Sequence, residues 1–231
     1  MKKETKVVEE IPEMIEKETK KIGKEIDKEF VAQIVIIAVL ALLLVYNFGK
    51  LSGGGGGAIG TVSASEIIPT GMPEIYGKEL GISYDDISPS DPRKADASIG
   101  VLADLDTSIT LTGDDLQRYI IIGLQISCEY CCGAESIIFS NGQAACGCAH
   151  SYAMRGLAKY LIKNHPNEFS DDEILEELGK WKVLFFPGIH QTKAAVLKSQ
   201  GIEINYINLA SNKYRGIEKG QQASGGMVGG C

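Results

Sequence analysis

The chain has 231 residues, with 30 acidic and 23 basic side chains, a formal net charge of −7 and a mean hydropathy near zero. That length accommodates one domain of ordinary size plus accessory segments. From residue 49 onward there are 15 basic and 21 acidic residues, which argues against nucleic acid as a partner because phosphate binding needs a basic surface.

Residues 1–28 carry eight lysines and eight acids, with Ile11, Ile15, Ile22 and Ile26 at helical spacing. Pro12 suits a first helical turn and Gly23 weakens the middle. The segment reads as a charged amphipathic stretch on an inner leaflet or against a partner helix, or as a solvated tail. From Phe30 to Phe48 run nineteen residues in which only Gln33 and Asn47 are strongly polar. At 1.5 Å per residue this reaches roughly 28 Å, the hydrocarbon thickness of a bilayer. A transmembrane helix is therefore expected over residues 29–50. Lysines crowd its N-terminal flank, whereas only Lys50 lies close on the other side. The orientation expected from that bias is a cytoplasmic N-terminus and an extracytoplasmic C-terminal part, a single-pass signal-anchor in the cell membrane. The competing cleavage-like site, Val62-Ser63-Ala64, lies too far beyond the apolar run for a signal peptide.

Residues 51–66 include the run Gly53 to Gly57 and read as a flexible tether. Gly55, Gly57 and Gly60 spell G-x-G-x-x-G, but no strand precedes them and no helix opens there, so the dinucleotide motif fails its context. The ordered extracytoplasmic domain is expected over residues 67–219, mainly α. A short helix is expected within Pro73–Gly81, a helix from Asp91-Pro92, another from Gly113-Asp114-Asp115, and another over Ala149–Lys163. Ser170 to Glu173 forms a capping box that opens a further helix, and one more is expected over Gln191–Ser199. Ile202, Ile204 and Tyr206 alternate like a strand, and Ser140-Asn141-Gly142 suggests a β-hairpin between Ile137-Ile138-Phe139 and Gln143-Ala144-Ala145. Residues 220–231 read as a flexible tail ending in Cys231.

Five of the six cysteines fall between Cys128 and Cys148, in the pattern C-x2-C-C-x13-C-x-C-x-H formed by Cys128, Cys131, Cys132, Cys146, Cys148 and His150. A hairpin at Asn141-Gly142 would bring the two groups together at its mouth. Thiolate and imidazole in this density suit copper(I) or zinc(II), so these six residues form the candidate metal set. Cys146, His150 and Met154 are spaced by four and share a face if the helix starts early, although Met154 is better suited to a core. His165 and His190 read as ordinary loop or helix-end residues. The same cysteines also fit two other chemistries. One is a disulfide-stabilised structural or interaction domain in an oxidising space. The other is a thiol–disulfide redox protein using Cys128–Cys131, without the strand-then-helix context of thioredoxin. Cys231, on its glycine arm, is a candidate sixth participant. A metal donor or acceptor, or a redox partner protein, would accompany these roles. No complete catalytic constellation is present, so no enzymatic activity is assigned.

In the segments CEYCCG (128–133), CGCAHS (146–151) and MRGLAKYLIKNHP (154–166), the chain resembles uncharacterised membrane-anchored, Cys-rich prokaryotic proteins of archaeal type. Through Cys146-Gly147-Cys148 and a nearby histidine it is also similar to secreted bacterial proteins named for a PCYCGC motif, although the preceding proline-cysteine-tyrosine is absent. These resemblances imply an anchored, Cys-rich exported domain and no specific role.

Overall fold

The computed structural model describes residues 28, 30–43, 61–221 and 226–230, and separates the chain into two units, Met1–Ala58 and Ile59–Cys231. In the first unit, residues 30–43 form helix α1, with every side chain exposed. No helix among the described residues is long and apolar enough to cross a membrane. The transmembrane helix expected over 29–50 is therefore not found among the described residues, of which 30–43 fall within it. Residues 29 and 44–50 of that expected span, with residues 1–27 and 51–60, lie outside the described residues.

The second unit is mainly helical, as expected. It comprises α2 (Gly77–Leu80), α3 (Pro92–Ser108), α4 (Gly113–Gly123), α5 (Ala149–Asn164), α6 (Asp171–Phe185), α7 (Pro187–Ser199) and α8 (Tyr206–Ala210), with three short 3-10 turns. Helix starts coincide with local signals. Asp91 accepts the Lys94 N–H ahead of Pro92 in α3, and Ser170 with Glu173 closes a reciprocal cap on α6. α7 starts at Pro187, earlier than expected, because proline is suited to the first turn.

α5 is the axis. Eleven of its sixteen residues are buried, so it is a central helix rather than an amphipathic surface one. α3, α4 and α6 pack around it. Contact with α3 is close enough that a Cβ at Gly156 would lie 1.9 Å from the Leu102 carbonyl oxygen. On that interface Asp106 receives Arg155 Nε at 2.7 Å and Lys159 Nζ at 2.6 Å. A second, smaller core joins Val62, Ile67, Val183, Ala194, Leu197 and Leu209. The ordered domain thus takes in Val62, which the sequence assigned to the tether; Gln191 Nε2 donates to its carbonyl at 2.7 Å.

Two β expectations are corrected. Residues 202–205 are not a strand; they lead directly into α8, with Asn205 capping it by accepting the Asn208 N–H. No β-hairpin forms at Asn141-Gly142. The two arms share only one isolated bridge, Ile138 with Ala144. The Phe139 N–H donates to the Gln143 carbonyl at 2.7 Å, leaving residues 140–142 as a three-residue loop, with Gly142 at φ 81°. Asn141 Oδ1 accepts the Gln143 N–H at 3.0 Å. The register is therefore one residue away from the pairing of Ser140 with Gln143 that a two-residue Asn141-Gly142 turn would give. The ladder stops there because the Ile137 N–H, which would donate to the Ala145 carbonyl, is given instead to the Ile126 carbonyl at 2.9 Å.

Gly156→Ala is expected to destabilise the protein by about 1–3 kcal/mol or more, through the clash with α3. Gly100→Ala, where an added Cβ meets nothing within 4 Å, is expected to stabilise α3 by about 0.5–1 kcal/mol. Denaturant unfolding of the two variants should move in opposite directions.

Candidate metal centre

The first cysteine segment leaves α4 and is pinned by Asn212. The Asn212 N–H donates to the Gln125 carbonyl at 2.7 Å, and its side-chain amide donates to the carbonyls of Leu124 at 3.1 Å and Glu135 at 2.8 Å. Arg215 holds the Gly133 carbonyl at 3.0 Å. Between Cys128 and Cys131 the chain turns sharply, with Glu129 at φ 56°, a left-handed conformation that costs a non-glycine residue about 1–3 kcal/mol. The carboxylate of Glu129 is turned inward, 3.3 Å from Lys182 Nζ, and this buried ion pair holds the turn.

The second cysteine segment is fastened from behind by Arg155, which donates to the carbonyls of Cys146 at 2.8 Å and Ile137 at 3.3 Å. Cys148 is the N-cap of α5, its sulfur accepting the Ser151 N–H at 3.4 Å. Because α5 begins at Ala149, Cys146 precedes the helix and does not share a helical face with His150 and Met154. Met154 is fully buried in the core.

These two anchors bring all five cysteines together in two chemically different states. Cys132 and Cys146 form a disulfide, while Cys128, Cys131 and Cys148 are thiols. The three thiol sulfurs lie within 4.8 Å of one another, with Cys148 3.3 Å from Cys128. A second group, Cys132, Cys146 and Cys148, meets the same distance criterion but contains the disulfide. Three sulfurs each about 2.3 Å from a common ion stand about 4 Å apart, so the thiol trio fits a metal with little movement. The Cys131 thiol is exposed and Cys128 buried, which leaves one open side.

His150 belongs to neither sulfur group. It lies behind Cys148, fully buried against the rings of Phe185 and Phe186 at 4.5 Å and 5.1 Å, and hydrogen-bonds to the Cys148 sulfur. Its Nε2 is 2.8 Å from the Val228 carbonyl, and since a carbonyl only accepts, Nε2 carries a proton. Val228 itself is buried, and its N–H donates to the Phe185 carbonyl at 2.9 Å. Part of the segment expected as a flexible tail is thus laid down on the domain: Gly230 N–H also reaches Asp96 Oδ1 at 2.9 Å. Cys231 lies outside the described residues.

Hydrogen bonding within the sulfur pair drives the Cys148 thiol well below its ordinary range, helped by His150 and the Ser151 N–H, and pushes Cys128 upward. Two sulfurs 3.3 Å apart favour a single thiolate and oppose a second. Behind them lies a buried charged group that the sequence did not reveal. Lys182 and Lys193 are fully buried, and His190 with them. Burial lowers Lys182 to about 8 despite Glu129, and its charge is felt by Cys128. The only sequence hint was a lysine inside the apolar run Trp181 to Phe186.

No protein-family model matches the chain, and no curated protein or solved structure is significantly similar to it. Function therefore rests on the site itself.

His190 supplies a pH test. Its Nδ1–H donates to the Phe186 carbonyl at 2.9 Å, and burial, then the charges of Lys182 and Lys193, hold its pKa well below 6.5. The Tyr130 ring covers it edge-on at 5.6 Å. A base depressed in the folded state binds its proton more readily when unfolded. Its contribution is therefore complete above pH 6.5 and is lost as pH falls towards the folded value, by up to about 1.4 kcal/mol per pH unit. Unfolding free energies measured between pH 7 and pH 4.5 should show this slope, and His190→Leu should remove that part of it.

Proposed function

We propose that the domain binds a soft or borderline transition metal ion, copper(I) or zinc(II), through Cys128, Cys131 and Cys148. The observation that carries this is the convergence of three thiols within 4.8 Å while the other two cysteines of the cluster are paired with each other. Three sulfurs suit trigonal copper(I) as they stand; zinc(II) would need a fourth ligand. His150 then acts on the ion through Cys148, fixing the sulfur's direction and charge, and Lys182 offsets part of the negative charge of the thiolates. Cys131, exposed at the rim, is the ligand through which a donor or acceptor protein would exchange the ion. The Cys132–Cys146 bond takes the structural part, closing a loop for which about 3 kcal/mol is typical.

The nineteen-residue apolar run, the lysine-rich flank before it and the glycine tether after it support a place for this domain outside the cell membrane, held by a single-pass anchor. A disulfide beside reduced thiols is also at home in an oxidising compartment.

Full-length protein in detergent, with its disulfide intact, is expected to bind one cadmium(II) or copper(I) per chain with thiolate charge-transfer absorption. Cys128→Ser, Cys131→Ser or Cys148→Ser should each weaken binding by more than the about 10- to 100-fold expected for His150→Phe. Cys132→Ser, kept reduced so that Cys146 stays a thiol, should leave it largely intact. Protein in which Cys128, Cys131 and Cys148 are all reduced and which has no affinity for cadmium(II), zinc(II) or copper(I) would rule the assignment out.

A further inference from the structure

Cys148 touches more than its thiol partners. Its sulfur stands 3.5 Å from Cys146 Sγ, which is bonded to Cys132, and 3.3 Å from Cys128 Sγ on the other side. Thiol–disulfide exchange needs an attacking sulfur in contact with one sulfur of the bond and a leaving sulfur with somewhere to go. Both conditions are met. Cys132 is exposed and lines an open groove of about 530 Å³ with Gly133, Glu135 and Phe139, so a departing thiolate enters solvent. Cys146 and Cys148 are separated only by Gly147, where even an added Cβ would meet nothing within 4 Å, so the link between them has room to turn.

We propose that Cys148 carries out an internal thiol–disulfide exchange on the Cys132–Cys146 bond. Cys148, its proton given to solvent, attacks Cys146 Sγ. The Cys146–Cys148 bond forms as the Cys132–Cys146 bond breaks, and Cys132 leaves with the electron pair and takes a proton from solvent. One disulfide is present before and after, so no oxidant or reductant is consumed. The exchange stands without a metal, but it shares Cys148 with the proposed site. An ion held there ties up the attacking lone pair, and completed exchange removes one ligand of the three. Movement of the disulfide would then release the ion with no net redox change.

The test is disulfide mapping by mass spectrometry on full-length protein in detergent. The metal-free protein is equilibrated at pH 8 with chelator, quenched in acid and digested at low pH. A population carrying Cys146–Cys148 is expected beside Cys132–Cys146, with complete loss of the former in Cys148→Ser, where serine still supplies the helix cap. Cys132→Ser equilibrated with glutathione disulfide should trap Cys146–Cys148 as its main species. Wild type that holds only Cys132–Cys146, together with Cys132→Ser that holds Cys146 as a free thiol or glutathione adduct, would overturn the proposal. Repeating the wild-type equilibration with cadmium(II) separates the two claims. If cadmium binds, the Cys146–Cys148 species should be suppressed; cadmium binding that leaves it undiminished would overturn the sharing of Cys148. Absence of cadmium binding would sink the metal assignment and leave the exchange result standing.

Discussion

A guanidinium with 1% exposure has given up almost all of its water, and Arg155 offsets part of the loss by reaching in two directions through Nε and Nη1. On one side it pairs with Asp106 of α3; on the other it holds the backbone carbonyls of Ile137 and Cys146. The same side chain thus joins the α3–α5 interface to the segment that carries the second set of cysteines. Lys159 shares Asp106, and Gly156, one residue after Arg155, allows the two helices to approach closely enough for these pairs to form. A buried ion pair of this kind is poor evidence of net stability against an apolar replacement, but losing one partner typically costs about 3–5 kcal/mol. Here that loss would also free the cysteine loop from the helix that positions it.

The electrostatics around the sulfurs follow the same logic. The Glu129 carboxylate is 3% exposed and paired with Lys182, and Arg215 Nε lies 4.0 Å away. Lys182 also donates to the Ala210 carbonyl at 2.8 Å, so its charge is held in place by α8 as well as by the cysteine turn. This fixed positive charge stands behind Cys128, while the α5 N-terminus and His150 support Cys148. The support for a thiolate at Cys148 and the lysine charge felt at Cys128 are thus drawn from different parts of the chain.

How much of this was legible in the sequence depended on the range of the forces involved. Asp91-Pro92 and Ser170 to Glu173 act within one helical turn, and α3 and α6 begin where those residues indicate. The turn at Asn141 was visible, but its loop length was not. How far the two arms pair was decided at a distance, because Ile126 claims the Ile137 N–H. Alternation in Ile202, Ile204 and Tyr206 had no neighbouring strand to pair with, so it produced an extended lead into α8. At the site, spacing showed that sulfurs would gather, yet it could not divide them into a bonded pair and three thiols. That division depends on which sulfurs meet in space. His150, read as a candidate ligand, backs Cys148 and belongs to neither sulfur group. Lys182, Lys193 and His190 were passed over because each becomes meaningful only once burial is known.

The contact between Val228 and His150 has a consequence for the order of assembly. The two residues are 78 positions apart, and the carbonyl fixes which ring nitrogen carries the proton. While the chain is being made, the cysteines and α5 emerge long before that carbonyl exists. Until it arrives, the imidazole is free to take either tautomer, and Cys148 lacks a partner of fixed polarity. The sulfur cluster can therefore gather early through local turns, but its chemistry is set late, when the last described residues close over it.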